Sequence, residues 1–165
     1  SGLAWRSADG QDLARRRPPR SFPLMFSPTR DQSRRAFIGA WRRFRDGAAL
    51  SDMDRRIAGI VAMHPEYHAL LDEGDRNLDR EWTPEGGAMN PFLHLSLHLA
   101  IAEQLAIDQP PGIRAHFDRL TNARGDEHAA LHAVLECLGE TLWQAQRTGS
   151  GPDATLYLGC LARQR

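Results

Sequence analysis

Asn90-Pro-Phe-Leu-His94-Leu-Ser-Leu-His98-Leu-Ala-Ile101-Ala-Glu-Gln-Leu105-Ala-Ile107 is the stretch whose reading decides the fold. Asn90 before Pro91 marks a helix start. The amide side chain can accept from free backbone N–H groups of the first turn, and proline has the φ that turn needs and no N–H to leave unpaired. The apolar period runs from Phe92 to Ile107 and stops before Pro110-Pro111. Within it His94 and His98 fall on the side of Leu97, Ile101 and Leu105, which turns them toward a core.

The same punctuation recurs in both directions. Upstream, Ser27 reads as an N-cap with Pro28 at the first helical position; Phe37, Ala40, Trp41 and Phe44 follow at spacings of three and four, and Gly47 is a stop. Ser51 with Asp54 reads as a capping box for a second helix through Ile57, Ile60 and Val61, which Pro65 interrupts. A short continuation after the kink is predicted over 65–72. Residues 73–89 are charged and Gly-rich and read as the longest loop, a lid or surface excursion. Downstream, helices are predicted over 111–123, 126–147 and 153–163, and no strand pattern intervenes. The fold class is therefore all-α, a single-domain bundle of five or six helices over 25–165. Residues 1–24, with Arg15-Arg-Arg-Pro-Pro-Arg20, read as a loose, flexible basic tail, and Met25 as a candidate start of the biological chain.

Bulk composition removes several function classes. With 165 residues and 41% hydrophobic content the chain can bury one core. Its 21 basic and 21 acidic side chains cancel, so no general attraction to nucleic acid or an anionic membrane is expected. All the basic residues are arginine, which excludes lysine Schiff-base chemistry and a phosphate-loop lysine. No apolar run is long enough to span a bilayer. Two cysteines, Cys137 and Cys160, are the usage of a reduced compartment, so a cytoplasmic location is expected and Cys137 is read as a small buried apolar residue.

Six of the seven histidines form three i, i+4 pairs: His64/His68, His94/His98 and His128/His132. Random placement of seven histidines gives about 0.25 such pairs, so three have a chance probability on the order of 0.003. Side chains four apart stack on one helix face, close enough for two imidazoles to share one ion. Asp72 and Glu136 extend two of the pairs by one turn, so two segments read His-x3-His-x3-acid. Imidazole with carboxylate suits iron, manganese or zinc, with iron or manganese favoured, and bundles bury such ions between facing helices. Ordinary histidines, some exposed and some bonded to backbone, are the bland alternative. Six inward imidazoles satisfying only one another would be costly, which weighs against it.

The remaining candidates carry less. Tyr67, inside the first pair, is either a redox or proton-donating neighbour or a packing tyrosine. Glu103 lies opposite His94 on its helix and reads as a solvated acid, and Glu127 and Glu140 as surface or supporting groups. His116 has no i+4 partner and reads as a surface residue. Trp41, Trp82 and Trp143 read as core or rim, and Arg114 as a loop anchor.

Several longer motifs, Phe26-Ser-Pro-Thr-Arg30, His64-Pro-Glu-Tyr-His68, Asn90-Pro-Phe-Leu-His94 with His98, Gln109-Pro-Pro-Gly-Ile-Arg114, His128 and Gln144-Ala-Gln-Arg147, resemble a bacterial, mostly proteobacterial family known as domain of unknown function 1841. The resemblance spans Met25 to about Leu161 and implies no activity. Function is therefore read from the residues alone. Eight groups, His64, His68, Asp72, His94, His98, His128, His132 and Glu136, exceed the needs of one ion, so a dinuclear centre leads and a mononuclear one follows. The corresponding enzyme is a di-iron or di-manganese oxidoreductase acting on dioxygen or another small molecule, with metal-assisted hydrolysis as the less favoured chemistry. A non-catalytic metal- or oxygen-sensing module is the competing class. A third is a metal-free interaction domain docking an acidic partner through Arg34, Arg35, Arg42, Arg43 and Arg45; homodimerisation stays open.

Overall fold

The computed structural model describes residues 29–86 and 89–165. Ser27, Pro28 and the basic segment 1–24 lie outside them. Seven α-helices appear among the described residues: α1 (Arg30–Arg45), α2 (Asp52–Ala62), α3 (His68–Asp72), α4 (Pro91–Ile107), α5 (Ile113–Arg124), α6 (Glu127–Thr148) and α7 (Ala154–Arg163), with 3-10 turns at Pro65–Tyr67, Gly74–Asn77 and Pro84–Gly86. The fold is all-α, as the periodicity requires.

Local chemistry accounts for the boundaries. Thr29 caps α1 in a capping box with Gln32, and Ser51 caps α2 in a box with Asp54. Asn90 accepts from the N–H groups of Phe92 and Leu93 with Pro91 behind it, while Asp126 and Asp153 cap α6 and α7. At the end of α4, Arg114 donates to the carbonyls of Leu105 and Ala106 and so serves as the expected anchor. Asp108 closes the helix in the left-handed region at φ 50°, and its carboxylate accepts from the N–H groups of Arg114 and Gly112. Those bonds hold it below the usual carboxylate range.

Two apolar cores meet at α4. Phe92, Leu95 and Leu99 pack with Phe37, Ile38 and Trp41 of α1, Ile57, Ile60 and Val61 of α2 and Leu71 of α3. Leu97 and Ile101 pack with Ile113 and Leu120 of α5, Val134 and Leu138 of α6, and Tyr157 and Leu161 of α7. The central helix is enclosed on both sides, which is why its sequence is apolar round most of its circumference. This enclosure corrects the reading of Glu103: it lies away from His94 but faces protein, is buried, and desolvation raises its carboxyl pKa. Trp41 is core, Trp82 packs on Phe92, and Trp143 is half exposed beneath the Arg147 guanidinium.

The segment after α3 is held rather than free. Arg34, 2% exposed, donates to the carbonyls of Asn77, Leu78 and Arg80 and lies over the rings of Trp82 and Phe92. Arg30 adds an ion pair to Glu81. The described part of the 73–89 loop is thus pinned to α1, which argues against a lid. Arg43 is committed to Asp54 and Arg45 to Asp72, so three of the five arginines offered as a docking face are engaged within the domain.

The two cysteines depart from expectation. Cys137 is fully buried, as predicted, but it is bonded to Cys160, tying α6 to α7. Sequence spacing carries no distance across two helices, and the antiparallel packing of α7 on α6 brings the pair together.

Two outcomes follow for stability. Arg34→Leu strips three carbonyls of a charged donor and is expected to cost about 2–4 kcal/mol in denaturant titrations. Opening the disulfide, which spans a sequence separation of 23, is expected to cost about 3 kcal/mol, read as a fall in Tm of about 10 °C with reductant or in Cys160→Ser.

Candidate metal centre

Helix α2 ends because Pro65 cannot continue it, and His64, the residue before that proline, leaves helical geometry at φ −123°, ψ 69°. Its ring folds back under the last turn, where Nδ1 sits 2.7 Å from the carbonyl oxygen of Ile60. A carbonyl only accepts, so Nδ1 carries the proton and Nε2 carries a lone pair. Burial is complete at 0% exposure, so that lone pair cannot turn to bulk water.

It meets α4 instead. His94 and His98, one turn apart, place their Nε2 atoms 3.2 Å from each other, and His94 Nε2 is also 3.2 Å from His64 Nε2. The other nitrogen of His94 lies 3.3 Å from the thioether sulfur of Met89, an acceptor, which favours the same tautomer as in His64. In that tautomer His64 and His94 aim two lone pairs at one another across 3.2 Å with no proton between them. Helix α6 supplies His132, whose buried Nε2 has no hydrogen-bond partner. One nitrogen from each of His64, His94, His98 and His132 lies within 4.8 Å of every other. His128 stands beside this group, its ring 4.3 Å from that of His132 and 5.5 Å from that of His64.

Electrostatics keep His94, His98 and His132 neutral. Burial, followed by the neighbouring imidazoles, lowers the His98 pKa to about 3 and that of His94 to about 4, and His132 is lowered for the same causes. Lone pairs are consequently available at neutral pH.

Five of the eight sequence-selected residues gather here, four as convergent nitrogens and His128 as their neighbour. His68, Asp72 and Glu136 do not. His68 Nε2 is hydrogen-bonded to the Val61 carbonyl at 2.8 Å and its ring packs on Trp41. Asp72 accepts from Trp41 Nε1 at 2.8 Å and from Arg45 at 3.1 Å. The physical reason is helical phase: the Pro65–Tyr67 segment is a tighter 3-10 turn, so His64 and His68 no longer share a face and the His-x3-His-x3-acid pattern is broken at its first step. Glu136 is exposed one turn beyond His132.

Three neighbours complete the surroundings. Tyr67 stacks on His64 at 5.7 Å and stands edge-on to His94 at 5.8 Å; its hydroxyl pKa is raised by burial and then by Glu66. Glu66 is the acid whose charge reaches both His94 and His132. It lay in view inside His64-Pro-Glu-Tyr-His68, but a search for i, i+4 partners passes over it. Met89 adjoins the cap of α4, and its contact with His94 has no signature in sequence spacing.

The model of domain of unknown function 1841 (DUF1841) matches residues 29–163, and the chain belongs to that family. No curated protein and no solved structure matches the chain.

The depressed pKa values set a pH dependence for metal-free protein. Below the ordinary histidine value of 6.5 the unfolded chain binds protons that His94 and His98 refuse until about pH 4 and 3, so folded stability falls as pH drops through that window. The expected Tm at about pH 5 is lower than at about pH 7.5 by roughly 5 °C or more, and His98→Gln, which cannot titrate, narrows the gap. An unchanged gap in the variant would assign the effect to other groups.

Proposed function

We propose that this domain is a metalloprotein holding one transition-metal ion on His64, His94, His98 and His132, and that it uses the ion for oxidoreductase chemistry on a small molecule. The observation that carries the proposal is the convergence of four ring nitrogens within 4.8 Å of one another, with His94 Nε2 3.2 Å from Nε2 of both His64 and His98 and the buried His132 Nε2 unpartnered. In the tautomer that the Ile60 and Met89 contacts favour, no proton lies between the His64 and His94 nitrogens, and a cation is the partner that suits both. Two nitrogens bound at 2.0–2.1 Å to one tetrahedral ion stand about 3.3–3.4 Å apart, close to the spacing found.

The supporting groups are those a ligand histidine needs. The Nδ1–H of His64 on the Ile60 carbonyl fixes ring orientation and tautomer, the usual role of an outer partner. Bridging carboxylates would argue for two ions, but Asp72 and Glu136 stand elsewhere, and one ion is the better fit. A set of imidazoles suits iron, copper, nickel or zinc better than manganese, which prefers oxygen donors. Iron is the first choice for redox chemistry, and zinc is the alternative that would move the reading to hydrolysis or a structural role.

Among the described residues no helix is long and apolar enough to cross a membrane. A cytoplasmic location is proposed from the low cysteine count. A persistent Cys137–Cys160 bond weighs against it, since reducing compartments keep thiols open, and counting free thiols in protein taken directly from cells decides between them.

Elemental analysis tests the centre. Untagged protein prepared without chelator or nickel resin is expected to carry about one equivalent of metal. His98→Ala is expected to lose it, by at least tenfold in affinity, whereas His68→Ala retains it. Wild-type protein that takes up no iron or zinc on anaerobic addition contradicts the proposal.

A further inference from the structure

We infer that the ion of this centre takes a small exogenous anion as an additional ligand, held beside the ring of His128, so that the substrate class is a small anionic oxygen or nitrogen species rather than a bulky organic molecule. The inference rests on the metal-site reading above and names what that site acts on.

Charge is the first ground. Four neutral imidazoles leave a divalent ion with its full double charge, and two of those rings, His64 and His98, are 0% and 3% exposed. A net charge of that size in a partly dry site calls for a counter-ion. Among the described residues no carboxylate belongs to the convergent set. Asp72 is committed to Trp41 and Arg45, while Glu66 and Glu136 are exposed and act on the rings only through their field. Glu66 and Glu136 supply part of the counter-charge from a distance, and negative charge on the ion itself is left to come from solution.

Access is the second ground. Burial is uneven: His64 and His98 form the floor, and His94, His128 and His132 are each partly exposed, so one side of the ion would face solvent. Two rings flank that group without joining the four. Tyr67 adjoins His64 and His94, and His128 adjoins His132 at 4.3 Å, stacks at 6.2 Å on His98 and lies 5.5 Å from His64. A neutral imidazole has one N–H to give, and an anion on the ion is the acceptor it would meet.

Size is the third. A cavity of about 770 Å³ is lined by Arg30, Phe92, Leu93, Ala100, Leu142 and Pro152 among others, and by none of the six paired histidines. Leu93 and Ala100 lie on the face of α4 away from His94 and His98, so this roomy space serves a different side of the helix. A bulky organic molecule that filled this cavity would lie away from the four nitrogens.

The test uses azide as the probe on full-length protein loaded with one equivalent of cobalt(II), whose visible spectrum changes when a ligand enters the coordination shell. Azide is expected to give a saturable change with Kd in the millimolar range or tighter, and His128→Phe is expected to keep its cobalt while binding azide about tenfold more weakly. Cobalt uptake with no spectral response up to about 100 mM azide overturns the inference and leaves the metal site standing. Equal azide affinity in His128→Phe, or loss of cobalt from it, overturns the role given to His128. Wild-type protein that takes up no cobalt overturns the metal reading and this inference with it.

Discussion

The packing of α4 between two apolar cores is the constraint from which the rest of the molecule follows. Leu95 and Leu99 commit one side to α1 and α2, and Leu97 and Ile101 commit the other to α5, α6 and α7. A helix held on both sides cannot rotate to move a polar residue into water, so His94 and His98 stay where packing directs them. Burying the apolar side chains of such a helix contributes about 1.5–3 kcal/mol each, enough together to hold two imidazoles in partly dry surroundings.

That arrangement would be costly if the imidazoles had only each other. An imidazole pair is satisfied when one nitrogen donates and the other accepts, and His64 has spent its proton on the Ile60 carbonyl. Each further neutral ring brings one donor and one acceptor, but with His94 Nδ1 turned to Met89 no proton lies between the Nε2 atoms of His64 and His94, and burial of His98 and His94 discourages extra protons. The choice left is between strain in the fold and a cation. Unsatisfied groups of this kind collect at functional sites, where the cost is returned when a ligand binds.

Much of this was legible in the chain. Ser51, Asn90, Asp126 and Asp153 mark helix starts through hydrogen bonds that a sequence displays directly; the cap of α1 is Thr29, and Ser27, read as a cap, lies outside the described residues. The i, i+4 pairs on α4 and α6 were also legible, since within one helix spacing is geometry. What could not be read depended on a change of helical phase or on contact between distant elements. His68 and Asp72 were misplaced because a 3-10 turn after Pro65 rotates them toward Trp41. Glu103 looked solvated because a helix wheel shows only two sides and α4 has protein on both. The Cys137–Cys160 bond and the seat of Arg34 on the carbonyls of residues 77, 78 and 80 require the tertiary fold to be known first.

The most direct test of the account is anomalous diffraction at the absorption edge of the bound metal, from crystals of untagged protein grown with iron(II) under anaerobic conditions or with zinc. The account predicts one peak bounded by the ring nitrogens of His64, His94, His98 and His132, at about 2.0–2.2 Å from each, with His68 and Asp72 still on Val61 and Trp41. A peak between His68 and Asp72, or no peak among the four rings while they keep their 3.2 Å contacts, would contradict it.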